Sequence, residues 1–96
     1  MMTKKYKTIR LTAPNARQVY IAGTFNDWNA TSLPMKPIGN GEWSVELPLT
    51  SGHHEFKFIV DGQWCCDVGV NGPIDRADGC VPNAFGTMNR ILDVAS

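Results

Sequence analysis

The chain has 96 residues, of which 43% are hydrophobic and only 19% charged, an ordinary globular make-up that excludes intrinsic disorder. Nine basic residues balance nine acidic ones, so there is no electrostatic footprint for nucleic acid or anionic lipid, and neither nucleic acid nor membrane is an expected partner. The length fits one core, no run approaches the roughly 20 apolar residues of a bilayer span, and no apolar stretch follows Lys4 and Lys5, so a cytoplasmic address is expected.

In chain order the pattern is strands and turns throughout. Lys7 to Thr12 predicts a strand with Ile9 and Leu11 inward, closed by Ala13-Pro14-Asn15. Gln18 to Ala22 predicts a second, with Val19 and Ile21 inward, running into the polar loop Gly23-Thr24-Phe25-Asn26-Asp27-Trp28-Asn29. A short extended piece near Met35 follows. Asn40-Gly41 is a strong turn signal, after which Trp43, Val45, Leu47 and Leu49 alternate against Ser44 and Glu46. Ser51-Gly52 turns the chain into Glu55 to Val60.

This last strand is the most informative. Phe56, Phe58 and Val60 fall on one face and Lys57 and Ile59 on the other, the mark of a half-buried strand. Asp61-Gly62 supplies the positive φ of a tight hairpin, which carries Gln63 and Trp64 to the sheet's edge. The stretch beyond, rich in Gly, Asp and Pro, is expected to be irregular until a final strand from Met88 to Val94. Short strands with one apolar face each point to an all-β fold, an antiparallel two-sheet sandwich of immunoglobulin-like type.

Cys65, Cys66 and Cys80 form neither a zinc spacing nor a Cys-x-x-Cys pair. Adjacent strand residues point to opposite faces, so at most one of Cys65 and Cys66 enters the core. Reduced thiols, with Cys80 free, are the expectation in a cytoplasmic setting. The alternative joins Cys80 to Cys65 or Cys66, closing a loop of roughly 15 residues for about 3 kcal/mol.

Two polar-loop tryptophans, Trp28 and Trp64, contrast with Trp43, which shares the apolar phase of its strand and belongs to the core. The strings Val19-Tyr20-Ile21-Ala22-Gly23-Thr24-Phe25-Asn26-Asp27-Trp28, Phe56-Lys57-Phe58-Ile59-Val60-Asp61-Gly62-Gln63-Trp64 and Phe85-Gly86-Thr87-Met88-Asn89 resemble the glycogen-binding module of AMP-activated protein kinase beta subunits. They are similar also to the early-set domains of isoamylases and glycogen branching enzymes, the carbohydrate-binding modules of family 48. The resemblance runs from about Tyr6 to Val94 and implies one carbohydrate-binding β-sandwich domain across residues 1–96, with its core over about 6–94. It implies non-catalytic binding of α-1,4-linked glucans, whether glycogen, starch, malto-oligosaccharide or cyclodextrin. The implied sugar contacts are Trp28, Lys57, Trp64, Phe85, Thr87 and Asn89.

The chemistry of those side chains suits a sugar. An exposed indole offers a flat surface to the CH faces of glucose, and polar groups around it bond the hydroxyls. Lys57 brings three donors, and Asn89 both a donor and an acceptor. Read without the resemblance, Lys57 is an ordinary solvated residue and Asn89 a partner for a neighbouring backbone group.

The sequence departs from the family at Phe85, where the kinase module has leucine, at Cys65 and Cys66, and along Val68 to Pro82. Asn29-Ala30-Thr31 has the form of a glycosylation sequon, and a glycan there would obstruct Trp28.

Catalysis is not expected. Asp61, Asp67, Asp75 and Asp78 lie in turns and loops, not across a cleft, and no nucleophile, metal-ligand or phosphate-loop pattern accompanies them. His53-His54 is too small a set for a metal, and no cofactor is implied. The competing reading is an interaction module that docks a glycogen-metabolising enzyme or kinase as its partner, with glucan binding weak or lost.

Overall fold

The computed structural model describes residues 4–75, 80–83 and 86–95. The described strands are β1 (Lys5–Thr12), β2 (Val19–Gly23), β3 (Lys36–Gly39), β4 (Glu42–Leu49), β5 (Gly52–Val60), β6 (Gln63–Cys65), β7 (Asp67–Gly69), β8 (Gly72–Ile74), β9 (Cys80–Pro82) and β10 (Met88–Val94). The described residues include no helix, and their strands pair antiparallel. One sheet has the order β1-β4-β3. The other runs β2-β5-β10-β9, with β6 added on β5, and β7 and β8 form a separate two-stranded ribbon.

The inner faces of the two sheets meet in one core, as period-2 alternation requires. Leu11, Trp43, Leu47 and Leu49 come from the first sheet, and Val19, Ile21, Phe56, Phe58, Val60, Cys65 and Val94 from the second. Phe56 and Phe58 meet edge to face at 5.6 Å and 84°, a favoured geometry for ring quadrupoles. Trp43 is buried as expected, and its indole nitrogen donates to the Ala13 carbonyl oxygen at 3.0 Å, so its one polar atom is satisfied.

The two strongest turn signals form the expected hairpins. Asn40 and Gly41 both adopt positive φ between β3 and β4, and Asp61 and Gly62 do so between β5 and β6. Asp61 does more than turn the chain: its Oδ1 accepts from the backbone nitrogens of Arg17 and Gln18, at 2.9 Å each, and fastens the β1–β2 connection to the hairpin.

Three expectations are corrected. First, the described residues after Trp64 are not irregular throughout, since β7, β8 and β9 lie among them. Asn71-Gly72, a turn signal of the same kind as Asn40-Gly41, marks the β7–β8 hairpin, and strands of three residues are too short to show alternation. Second, β5 is not half-buried over its last five residues: Phe56 to Val60 are buried on both faces, in the stretch of β5 flanked by β2 on one edge and mainly by β6 on the other. Third, Cys80 is not a free thiol.

Cys66 and Cys80 form a disulfide, with Cα atoms 6.3 Å apart. Cys65 is the free cysteine, directed into the core, where burial pushes its thiol up to about 11. The opposite-face argument holds for the core cluster, since Cys66 is buried outside it.

Candidate functional site

The outer face of the five-stranded sheet carries a groove of about 800 Å³, lined by Thr24, Trp28, Glu55, Lys57, Trp64, Pro82, Asn83, Thr87 and Asn89. Its size falls within the range of small-molecule sites. The sheet register explains the convergence. Glu55 and Lys57 share the face of β5 opposite Phe56 and Phe58, and Asn89 sits on the corresponding face of β10, one residue before the Arg90–Phe56 pair. Trp64 stands on β6 opposite Ile59 and is 41% exposed.

Trp28 arrives from the other side on a loop built around one side chain. Asn26 Oδ1 accepts from the Gly23 nitrogen at 2.9 Å, and its Nδ2 donates to the Asn29 carbonyl at 3.1 Å and to Ser32 Oγ at 3.0 Å. The Trp28 nitrogen donates back to the Gly23 carbonyl at 3.0 Å. This tight closure puts Asp27 and Trp28 at φ of 54° and 58°, a left-handed conformation that costs a non-glycine residue on the order of 1 kcal/mol. Gly23 is required by close approach: a Cβ there would lie 2.7 Å from Phe56 Cβ and 2.8 Å from Phe25 Cε2.

Lys57 is not the solvated residue its sequence setting suggests. It is 7% exposed, and its Nζ donates to Asp75 Oδ1 at 2.9 Å. A cation this deep requires a counter-charge, because desolvation without one costs several kcal/mol. Asp75 is thus a site residue that sequence reasoning assigned only to a loop.

Asn89 is buried and held by side chains, not by a neighbouring backbone group. Its Nδ2 donates to Glu55 Oε1 at 3.1 Å, and its Oδ1 accepts from Asn83 Nδ2 at 2.9 Å. Asn83 Nδ2 also donates to Thr87 Oγ1 at 2.7 Å, and Asn83 Oδ1 accepts from the Thr87 nitrogen at 3.1 Å. One side chain therefore orients both Thr87 and Asn89. The Asn89 bond, and then the His53 contact at 3.2 Å, hold the Glu55 carboxyl below its ordinary range. On the far side His53 meets Asp93 at 2.9 Å, and its imidazole is raised, first by Asp93 and then by Glu55.

Five of the six residues expected at the site, Trp28, Lys57, Trp64, Thr87 and Asn89, thus line one groove. The sixth, Phe85, lies outside the described residues, as does Asp78.

Residues 8–96 match the family model for the glycogen recognition site of AMP-activated protein kinase. The chain belongs to this family. It is 35% identical over 78 residues to the AMP-activated protein kinase subunit beta-1 of Sus scrofa, covering 81% of this chain and 55% of that protein. The identity to the subunit beta-1 of Homo sapiens is also 35% over 78 residues, there covering 25% of the protein. The 1,4-alpha-glucan branching enzyme GlgB of a Bradyrhizobium strain is 44% identical over 50 residues, 52% of this chain and 7% of the enzyme. The chain therefore spans about half of the pig sequence and a quarter of the human one.

Beyond the expected residues, the groove has Thr24, Glu55, Pro82 and Asn83 in its lining, and Asp75 lies behind Lys57. Glu55 was detectable, being two residues from Lys57 on the same face of a strand. Asn83 and Asp75 were not, because their partners are set by contacts that the strand pattern does not encode.

Proposed function

We propose that the groove binds an α-1,4-linked glucan without cleaving it. The observation that carries this reading is the convergence of Trp28, Lys57, Trp64, Thr87 and Asn89, drawn from separate segments, on one open groove. Two indoles at its sides offer stacking surfaces to a curved chain of glucose units. Lys57 donates one N–H to Asp75 and has two left for hydroxyl oxygens, while Asn89 keeps one N–H and one lone pair beyond its bonds to Glu55 and Asn83. Glu55 and Asp75 are engaged with Asn89 and Lys57, an arrangement suited to recognition more than to acid–base cleavage.

A partly wet groove of this kind yields modest net energy, so the expected dissociation constant is on the order of 10 μM to 1 mM. The test is isothermal titration with maltoheptaose, paired with thermal unfolding, on three tryptophan variants. Trp43→Ala is expected to lose about 3 to 5 kcal/mol of stability through a core cavity. Trp28→Ala and Trp64→Ala should stay folded and each weaken binding at least about tenfold. If both bind as well as the parent, the groove is not the glucan site, and docking of an enzyme or kinase partner becomes the better reading. Equal binding of cello- and malto-oligosaccharides would also count against it.

A further inference from the structure

The charge arrangement beneath the groove goes beyond glucan recognition in general. Asp75 follows β8 directly, and its two oxygens hold two different parts of the site. Oδ1 accepts from Lys57 Nζ at 2.9 Å, and Oδ2 accepts from the backbone nitrogen of Met88 at 3.3 Å, between Thr87 and Asn89. One carboxylate thereby sets both the direction of the ammonium and the start of β10.

The electrostatic balance follows. Lys57 is neutralised by Asp75, and Arg90, on the inner side of β10, is paired with Asp67 at 2.8 Å. Glu55 lines the groove, and the bond from Asn89 keeps it ionised at neutral pH, with exposed His53 on its outer side. The groove therefore presents hydrogen-bond donors, with Lys57's charge compensated and a carboxylate beside it. Neutral hydroxyls suit such a surface. A phosphate ester would meet the Glu55 carboxylate with the Lys57 charge already spent on Asp75.

We propose that Asp75 is a positioning and specificity-determining residue, which holds Lys57 as a neutralised donor and so restricts the groove to uncharged glucans over phosphate-bearing ones. This rests on the glucan-binding reading above.

The experiment titrates the parent, Asp75→Asn, Lys57→Ala and the double variant with maltoheptaose and with a 6-phosphorylated malto-oligosaccharide, at low and high salt. The parent is expected to prefer the neutral ligand. Asp75→Asn removes the charge with little change of shape, and the preference should fall by about tenfold, from weaker maltoheptaose binding and stronger binding of the phosphate. The gain for the phosphate should shrink as salt rises, but not vanish, because Lys57 is buried and only partly screened. In the Lys57→Ala background Asp75→Asn should no longer weaken maltoheptaose binding, because Asp75 acts on the neutral sugar through Lys57. A merely structural role would lower both affinities together and would do so in either background. An unchanged preference in folded Asp75→Asn, or a loss of maltoheptaose affinity that persists without Lys57, overturns the proposal while leaving glucan binding intact. Failure of the parent to bind maltoheptaose removes the glucan reading and this one with it. Should Asp75→Asn not fold, Asp75→Glu keeps the charge on a longer stem: it should retain phosphate rejection and lose maltoheptaose affinity, and parent-like affinity would overturn the positioning role.

Discussion

The two walls of the groove are held in opposite ways. The Trp28 wall is closed by Asn26, whose partners lie within six residues, so the loop carries its own geometry. The wall that carries Trp64, Pro82, Asn83 and Thr87 has the local Asn83 bonds and, in addition, pairs distant in sequence: Cys66 with Cys80, Lys57 with Asp75, and Asn89 with Glu55, 34 residues away. A local pin made of amide hydrogen bonds is indifferent to reductant and to moderate changes of pH. Covalent and ionic pins are not. The same groove thus has one wall closed within its own loop and tied to β5 through Thr24, and one that also depends on pins that solution conditions can loosen.

The largest difference between the walls should come from breaking the disulfide. Cys66 directly follows β6, and Cys80 opens β9, so the bond ties the Trp64 strand to the segment that leads to Asn83. Closing a loop with a sequence separation of 14 is worth about 3 kcal/mol in the chain-entropy account. Treatment with a dithiol, or the paired change Cys66→Ser and Cys80→Ser, should lower the unfolding temperature by more than about 10 °C and weaken maltoheptaose binding. Thiol titration in denaturant of protein protected from air should find a single group, Cys65. Three titratable thiols would place both cysteines in the reduced state and erase the contrast between the walls.

The Trp28 wall should respond to a different perturbation and by less. Asn26→Ala strands the Gly23 nitrogen and removes three hydrogen bonds, which should cost about 1 to 3 kcal/mol. Because Asp27 and Trp28 are kept in a left-handed conformation by that closure, the loop should relax and glucan affinity fall several-fold. The loss should be the same with and without dithiol. If Asn26→Ala binds like the parent, Trp28 is positioned by something other than its loop.

How much of this was legible in the sequence follows the same division. Val19, Ile21, Phe56, Phe58 and Trp43 could be placed in the core because strand alternation fixes which face each occupies, and a two-sheet sandwich buries that face. The hairpins at Asn40-Gly41 and Asp61-Gly62 were legible because positive φ has few sequence solutions. Trp28 and Trp64 were marked by large rings in polar strand ends. Lys57 was misread on its pattern alone, since the carboxylate that buries it is 18 residues away in a segment without periodicity. Asn83 and the choice of Cys66 over Cys65 were hidden for the same reason: three-residue strands carry too little pattern to fix register.

The smallest expected effect is a pH response confined to the outer end of the second wall. Glu55 is held below its ordinary value of 4.5, first by Asn89 and then by His53, so its contribution is present above about 4.5 and is lost as pH falls through the folded value. His53 is raised above its ordinary 6.5, first by Asp93 and then by Glu55, so its contribution is complete below about 6.5 and is lost as pH rises through the folded value. Between those limits Glu55 is ionised, the imidazole is protonated, and the Asp93–His53–Glu55–Asn89 chain is intact. The unfolding temperature and maltoheptaose affinity should therefore be highest in that window and decline modestly on both sides. The alkaline limb is the cleaner test. Asp61, also held low through the Gln18 and Arg17 amides, adds an acid limb of its own that has nothing to do with the groove. Glu55→Gln should accordingly remove only part of the acid decline. His53→Gln should abolish the alkaline decline in both readouts, and if the decline persists in that variant, the relay through His53 does not act on the groove.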